Sequence, residues 1–307
     1  VERPEATPEP NWLSNGERLR AGWRIAFFFA LFVPLTIVGQ LAASLLPAES
    51  LPWAGLLFST AAALAAGIIV ITRLEGRAPG ALGFAVHRHA IREVGGGMAF
   101  GALLIALAVA LLLITRSAYF VPDDGTPGEY LAVLLRTLIF FWIAAAWEEL
   151  IFRGYPFQAL VDGVGVWPAV LVSSLLFAAL HGWNPNVTWL ALANIFIAGI
   201  LLALAYLRTR SLWFATALHV GWNWTMASLF DFPVSGLTGF ETPLYDVVEA
   251  GSDWWTGGTF GPEAGIAGTL VLLGGTAWLM RTRRLRVPPH MQELRPIVDR
   301  RLGPGWM

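Results

Sequence analysis

The sequence predicts an all-α polytopic membrane protein, with eight transmembrane helices around a polar intramembrane cavity and both termini cytoplasmic. Three observations carry this expectation. Of the 307 residues, 56% are hydrophobic and 13% charged, where an ordinary soluble domain carries about 25% charged residues. Eight apolar runs approach or exceed the roughly 20 residues an α-helix needs to cross a hydrocarbon core. The arginines fall almost wholly on one side of the layout those runs define.

The runs lie near residues 23–46, 52–72, 94–115, 130–157, 165–182, 187–207, 211–230 and 264–280. The first follows a polar segment and is too long for a signal-peptide core, so it reads as a retained anchor, and a start at Val1 points to processing or trimming. Short cytoplasmic loops collect positive charge. Arg3 to Arg24 precede the first run, Arg73 to Arg92 separate the second from the third, Arg208 and Arg210 separate the sixth from the seventh, and the tail from Arg281 onward is basic. Only Arg116 and Arg136 fall to the opposite face, a partition that an odd number of spans would scramble. The chain thus divides into a cytoplasmic N-terminal segment (1–22), a single membrane domain (23–282) with its functional core at about 130–230, a long acidic non-cytoplasmic loop (231–263) and a basic cytoplasmic tail (283–307).

That loop carries Asp231, Glu241, Asp246, Glu249, Asp253 and Glu263 without an arginine, and reads as a solvated connector in preference to a lid. Tryptophans at span ends, Trp23, Trp53, Trp167, Trp189, Trp213 and Trp278, suit interfacial anchoring. No inverted pair of broken helices is evident, which argues against a secondary transporter.

Composition excludes several chemistries. A net charge of −1 offers no footprint for nucleic acid. Without cysteine there is no disulfide, thiolate metal site or cysteine nucleophile. Every basic residue is arginine, which removes Schiff-base and Ser-Lys chemistry.

Ionisable groups inside membrane spans cost on the order of 2.5–3.5 kcal/mol on insertion scales, so each marks a functional candidate that needs a partner. The fourth run holds Glu148, Glu149 and Arg153, the fifth ends at His181, and the seventh holds His219 and Asn223. His87, His89 and His290 fall in Arg- or Pro-rich cytoplasmic segments and read as solvated. Residues four apart share a helix face, so Glu149 faces Arg153, which reads as an intrahelical ion pair, and His219 faces Asn223. Glu148 is turned about 100° from Glu149 and is left to meet something from another helix. Alone, a membrane histidine is best read as an interhelical hydrogen bond. Together, one carboxylate, two imidazoles and an amide supply a general base, a second proton-handling group and donors for a developing oxyanion, a hydrolytic set with no nucleophilic side chain. Counting residues leaves His181 nearer the outer side than the other three.

Glu148-Glu149-Leu150-Ile151-Phe152-Arg153 resembles the EExxxR motif, Phe177 to His181 the FxxxH motif, and His219 to Asn223 the HxxxN motif of the CPBP intramembrane proteases. That group contains the type II CAAX prenyl endopeptidases and proteins of bacteriocin processing and self-immunity. The resemblance covers about residues 130–230. It implies an intramembrane endopeptidase in which Glu148 activates water, His181 helps hold that water, and His219 and Asn223 stabilise the oxyanion, with Glu149 and Arg153 supporting Glu148. It further implies a peptide or protein substrate in a lipid bilayer; the lysine-free composition points to a bacterial chain, and so to a bacterial plasma membrane.

No cofactor is expected, with zinc as the alternative. Glu148, His181 and His219 would be the ligand set, since a carboxylate and two imidazoles suit catalytic zinc. Against it, there is no HExxH helix, and Glu148 as ligand would leave only Glu149 as base. No GxSxG or GxGD motif supplies a serine or aspartyl alternative. The reading from another class is a non-catalytic binding or self-immunity protein.

Overall fold

The computed structural model describes residues 10–48, 51–240 and 242–303; Arg3 and Glu241 lie outside them. Each of the eight apolar runs falls on a helix, and the protein is an integral, polytopic and mainly helical membrane protein. Helices α1 (Ala21–Ala43), α2 (Leu51–Arg73) and α3 (Ala90–Ile114) are followed by a strand, β1 (Ala118–Pro122). Then come α4 (Pro127–Phe152), α5 (Tyr155–Val164), α6 (Val166–Leu180), α7 (Trp189–Thr209) and α8 (Leu212–Trp224), the last prolonged by a π-helical turn over Thr225–Leu229. Strand β2 (Tyr245–Glu249), α9 (Asp253–Thr256), α10 (Ile266–Arg281) and two short tail helices, α11 (Pro289–Leu294) and α12 (Asp299–Leu302), complete the chain. Among the described residues six helical segments, from Ala21–Ala43 to Trp189–Thr209, are long and apolar enough to cross a membrane, while α8 and α10 are shorter.

The fourth run departs from the expected single span over 130–157. Its helix opens on a capping box, in which the Thr126 side chain accepts from the Glu129 N–H and Glu129 accepts from the Thr126 N–H, and Pro127 takes the first helical turn. It ends at Phe152, because the chain turns at Gly154 so tightly that a Cβ there would strike the Leu150 carbonyl, and Pro156 starts the amphipathic α5 in a new direction. The all-α expectation also needs amending. Part of the connector 231–263 extends as β2 and pairs antiparallel with β1, Phe120 opposite Val247, which brings the α3–α4 and α8–α10 connections together.

Two apolar cores hold the helices. One gathers α3, α4, α7, α8 and α10 and contains Ile105, Phe141, Leu204 and Leu218; the other gathers α1, α2, α5, α6 and α7 around Phe28, Ile71, Phe157 and Tyr206. Helices α3 and α8 pack backbone to backbone. Gly97 and Gly101 lie four apart on α3, and a Cβ on either would collide with the Phe214 or Leu218 carbonyl, while one on Gly221 would strike the Met98 carbonyl. In lipid, helices associate by such close backbone packing rather than by hydrophobic burial. Val33, Val38 and Leu41 of α1 point outward, the orientation a lipid-facing surface requires.

Candidate active site

Glu148 and Glu149 occupy the last turns of α4. Glu149 is fully buried, and its Oε1 accepts from Arg153 Nη1 at 3.0 Å, the ion pair expected from their spacing. Arg153 in turn donates to the Gly199 carbonyl at 3.0 Å and lies 4.5 Å from the centre of the Phe177 ring, a cation–π distance. The same Glu149 oxygen lies 3.1 Å from His219 Nδ1, which the spacing did not foretell. Glu148 meets that ring too, with Oε2 3.9 Å from Nε2. Adjacent carboxylates turned about 100° apart thus reach one imidazole at its two nitrogens, Glu149 within hydrogen-bonding distance and Glu148 beyond it. Pairing with a carboxylate places a proton on Nδ1 and leaves Nε2 toward Glu148.

His181 opens a 3-10 turn at the end of α6, and its Nδ1 lies 2.8 Å from the Phe177 carbonyl one turn back. Phe177 stands between the histidines, its ring centre 4.7 Å from that of His181 and 6.1 Å from that of His219. Glu148, His181, His219 and Asn223 all line one cavity of about 330 Å³, so the depth offset counted along the runs is removed by the packing of α6. The rest of its wall is largely apolar, with Phe140, Phe141, Phe152, Leu201 and Leu202. Glu149 and Arg153 lie behind this wall. Glu148 is the exposed member of the acidic pair, its side chain 21% accessible and its Oε2 without a hydrogen-bond partner among the described residues. Glu148, His181 and His219 do not bring three donor atoms within 4.8 Å of one another, a closeness that a cluster elsewhere in the described chain does reach.

Glu263 completes the wall. It sits in a 3-10 turn, Pro262–Ala264, just before α10, and its Oε1 accepts from Trp222 Nε1 at 3.0 Å. Its Oε2 accepts from the Ser235 N–H at 2.8 Å and the Ser235 hydroxyl at 2.6 Å, while Asn184 donates to the Ser235 carbonyl at 2.9 Å. The segment read as a solvated connector therefore folds onto the cavity mouth at Val234, Ser235 and Leu237. Only its acidity was visible in sequence. Nothing in the spacing ties Glu263 to Trp222.

Residues 130–225 match the family model described as type II CAAX prenyl endopeptidase Rce1-like. The chain is also similar to an uncharacterized 24.3 kDa protein of Escherichia coli, with 30% identity over 122 residues, 39% of this chain and 54% of that protein. The chain thus spans about half the length of the curated relative it matches. The matched segment, from α4 to α8, carries Glu148, His181, His219 and Asn223 of the cavity wall, and it is this segment that is similar to the Rce1-like CAAX prenyl endopeptidases.

Proposed function

We propose that this protein is an intramembrane endopeptidase of eight spans, with both termini cytoplasmic, that cleaves a peptide or protein substrate in a bacterial plasma membrane by glutamate-activated water. The observation that supports it is the gathering of Glu148, His181, His219 and Asn223 from three helices at one cavity in an otherwise apolar body. Glu148 takes a proton from water as the water attacks the scissile carbonyl, then delivers it to the leaving amine. Its Oε2 has no competing hydrogen-bond partner among the described residues, which suits a base. His181 holds the water. Asn223 and His219 donate to the tetrahedral oxyanion, a role in which His219 carries both ring protons and Glu149 accepts from Nδ1. Arg153 pairs with Glu149 and holds it in place, and thereby orients the imidazole.

The test is cleavage of a membrane-tethered reporter peptide by the purified protein and by Glu148→Gln, which keeps size and polarity. Loss of a general base lowers turnover by about 10²–10⁴-fold. Equal rates in the two proteins sink the proposal. Chelator sensitivity of the cleavage itself, and not bulk zinc content, decides between this chemistry and a metal-dependent one.

A further inference from the structure

A second cluster of titratable side chains lies outside the cavity. His87 follows the 3-10 turn Pro79–Leu82, Glu93 sits in the first turn of α3, and His290 belongs to α11 in the tail. Read in sequence as solvated, His87 and His290 instead stack on one another, ring centres 3.5 Å apart and planes tilted by 28°. Both Nε2 atoms are buried without a hydrogen-bond partner among the described residues. They face the two oxygens of one carboxylate: His87 Nε2 is 3.5 Å from Glu93 Oε2, and His290 Nε2 is 3.8 Å from Glu93 Oε1.

These separations are informative. A hydrogen bond between imidazole and carboxylate closes to about 2.7–3.2 Å. Ligands of one tetrahedral ion, bound at 2.0–2.2 Å, stand about 3.4 Å apart. One donor atom from each of the three residues lies within 4.8 Å of the other two. We propose that His87, Glu93 and His290 bind a divalent transition metal of the zinc class, and that the ion pins the C-terminal tail to the start of α3.

Two nitrogen donors and one carboxylate favour such an ion over magnesium or calcium, which take oxygen ligands. The surroundings support the ligands. Ser211, which caps α8, donates its hydroxyl to Glu93 Oε2, so the site also touches the helix that carries His219 and Asn223. A small apolar cluster of Ala85, Val287 and Met291 packs the tail against the same loop. Binding requires the stacked rings to fan apart. It also moves the His87 proton to Nδ1, at the cost of the 3.2 Å bond that Nδ1 accepts from the His89 N–H.

The test uses the full chain in detergent, stripped by chelator and titrated with Co²⁺, whose visible absorption reports tetrahedral nitrogen and oxygen ligation. One equivalent is expected to bind, to be displaced by Zn²⁺, and to be lost in His290→Ala and His87→Ala that elute as wild type does from size exclusion. His219→Ala is expected to retain it. Trypsin cleavage at Arg300 and Arg301 should slow on adding Zn²⁺ in the wild type and not in His290→Ala. Absence of Co²⁺ binding in the wild type, or binding that survives both His290→Ala and His87→Ala, overturns the proposal. Binding lost only in His219→Ala overturns it as well, and places the ion in the membrane cavity.

Discussion

Two of the buried ionic clusters among the described residues are built to opposite ends. Near the α1–α5 contact, Arg24 of α1 donates to Glu75 at 2.9 Å and to Asp162 at 2.6 Å. Arg18 takes the other oxygen of Asp162 at 2.8 Å, Tyr155 adds a hydroxyl to Glu75 at 2.9 Å, and Arg300 reaches its remaining oxygen at 2.9 Å. Every carboxylate oxygen there is engaged. In the cavity cluster Arg153 pairs with Glu149 through Oε1, while the Oε2 atoms of Glu148 and Glu149 have no hydrogen-bond partner among the described residues, and of the two carboxylates it is Glu148 that lines the cavity. A buried charge is therefore a poor marker of chemistry by itself. What distinguishes the second cluster is a carboxylate held at the edge of a cavity and left without a competing partner, the condition for handling a proton.

That contrast is breakable by mutation. The largest expected effect is the split between Glu148→Gln and Asp162→Ala. The first should cost about 10²–10⁴-fold in reporter cleavage and leave thermal unfolding in detergent nearly unchanged. The second takes from buried Arg24 one of its two carboxylates, leaving Glu75, and removes the Asp162 partner of Arg18; the loss, up to about 3–5 kcal/mol, should be seen as a lower unfolding midpoint with activity per folded molecule retained. A Glu148→Gln protein that unfolds early but cleaves normally would reverse the assignment of the two clusters.

Arg153→Met joins the two behaviours. Glu149 is left buried and charged against His219, so both stability and turnover should fall, the first by about 3–5 kcal/mol. Next in size is Glu263→Gln, which weakens three hydrogen bonds at the cavity mouth, to Trp222 Nε1, the Ser235 N–H and its hydroxyl. Hydrogen bonds to a charged group contribute about 1.5–3 kcal/mol each at most. The expected result is faster amide exchange around Ser235 and a raised KM for the reporter, with a smaller change in kcat. Unaltered exchange would show that Glu263 does not hold the mouth.

The smallest effect is the pH dependence of the structural cluster. Burial pushes the Glu75 carboxyl up, but the Arg24 hydrogen bond and charge, together with Tyr155 and Arg300, hold it below the ordinary carboxylate range. A lowered folded-state pKa contributes stability that is present above the unfolded value, about 4.3, and lost as pH falls through the folded one. Unfolding midpoints should therefore decline below about pH 4, and Glu75→Gln should flatten that decline.

Class and helix positions were legible in the sequence, because the bilayer demands long apolar runs. That Glu148, His181 and His219 need partners was legible too, since an ionisable residue in hydrocarbon stands out against its surroundings. The i,i+4 rule found the Glu149–Arg153 pair, for spacing on one helix is local geometry. The break after Phe152 was missed. Gly154 and Pro156 are tolerated within membrane helices elsewhere, and the close approach to the Leu150 carbonyl that makes Gly154 necessary is visible only in three dimensions.

From its own residues the chain determined which groups are costly in lipid, and so which must find partners. Only the tertiary structure decided which partner each found: that Glu149 shares His219 with Glu148, that Glu263 reaches back from the start of α10 to the cavity mouth, and that His290 of the tail stacks on His87. The reason is that burial cost belongs to a side chain and travels with the sequence, whereas contact between helices depends on crossing angle, depth and turn direction. Those are set by close packing such as that of Gly97 and Gly101 against α8, which no single run of residues encodes.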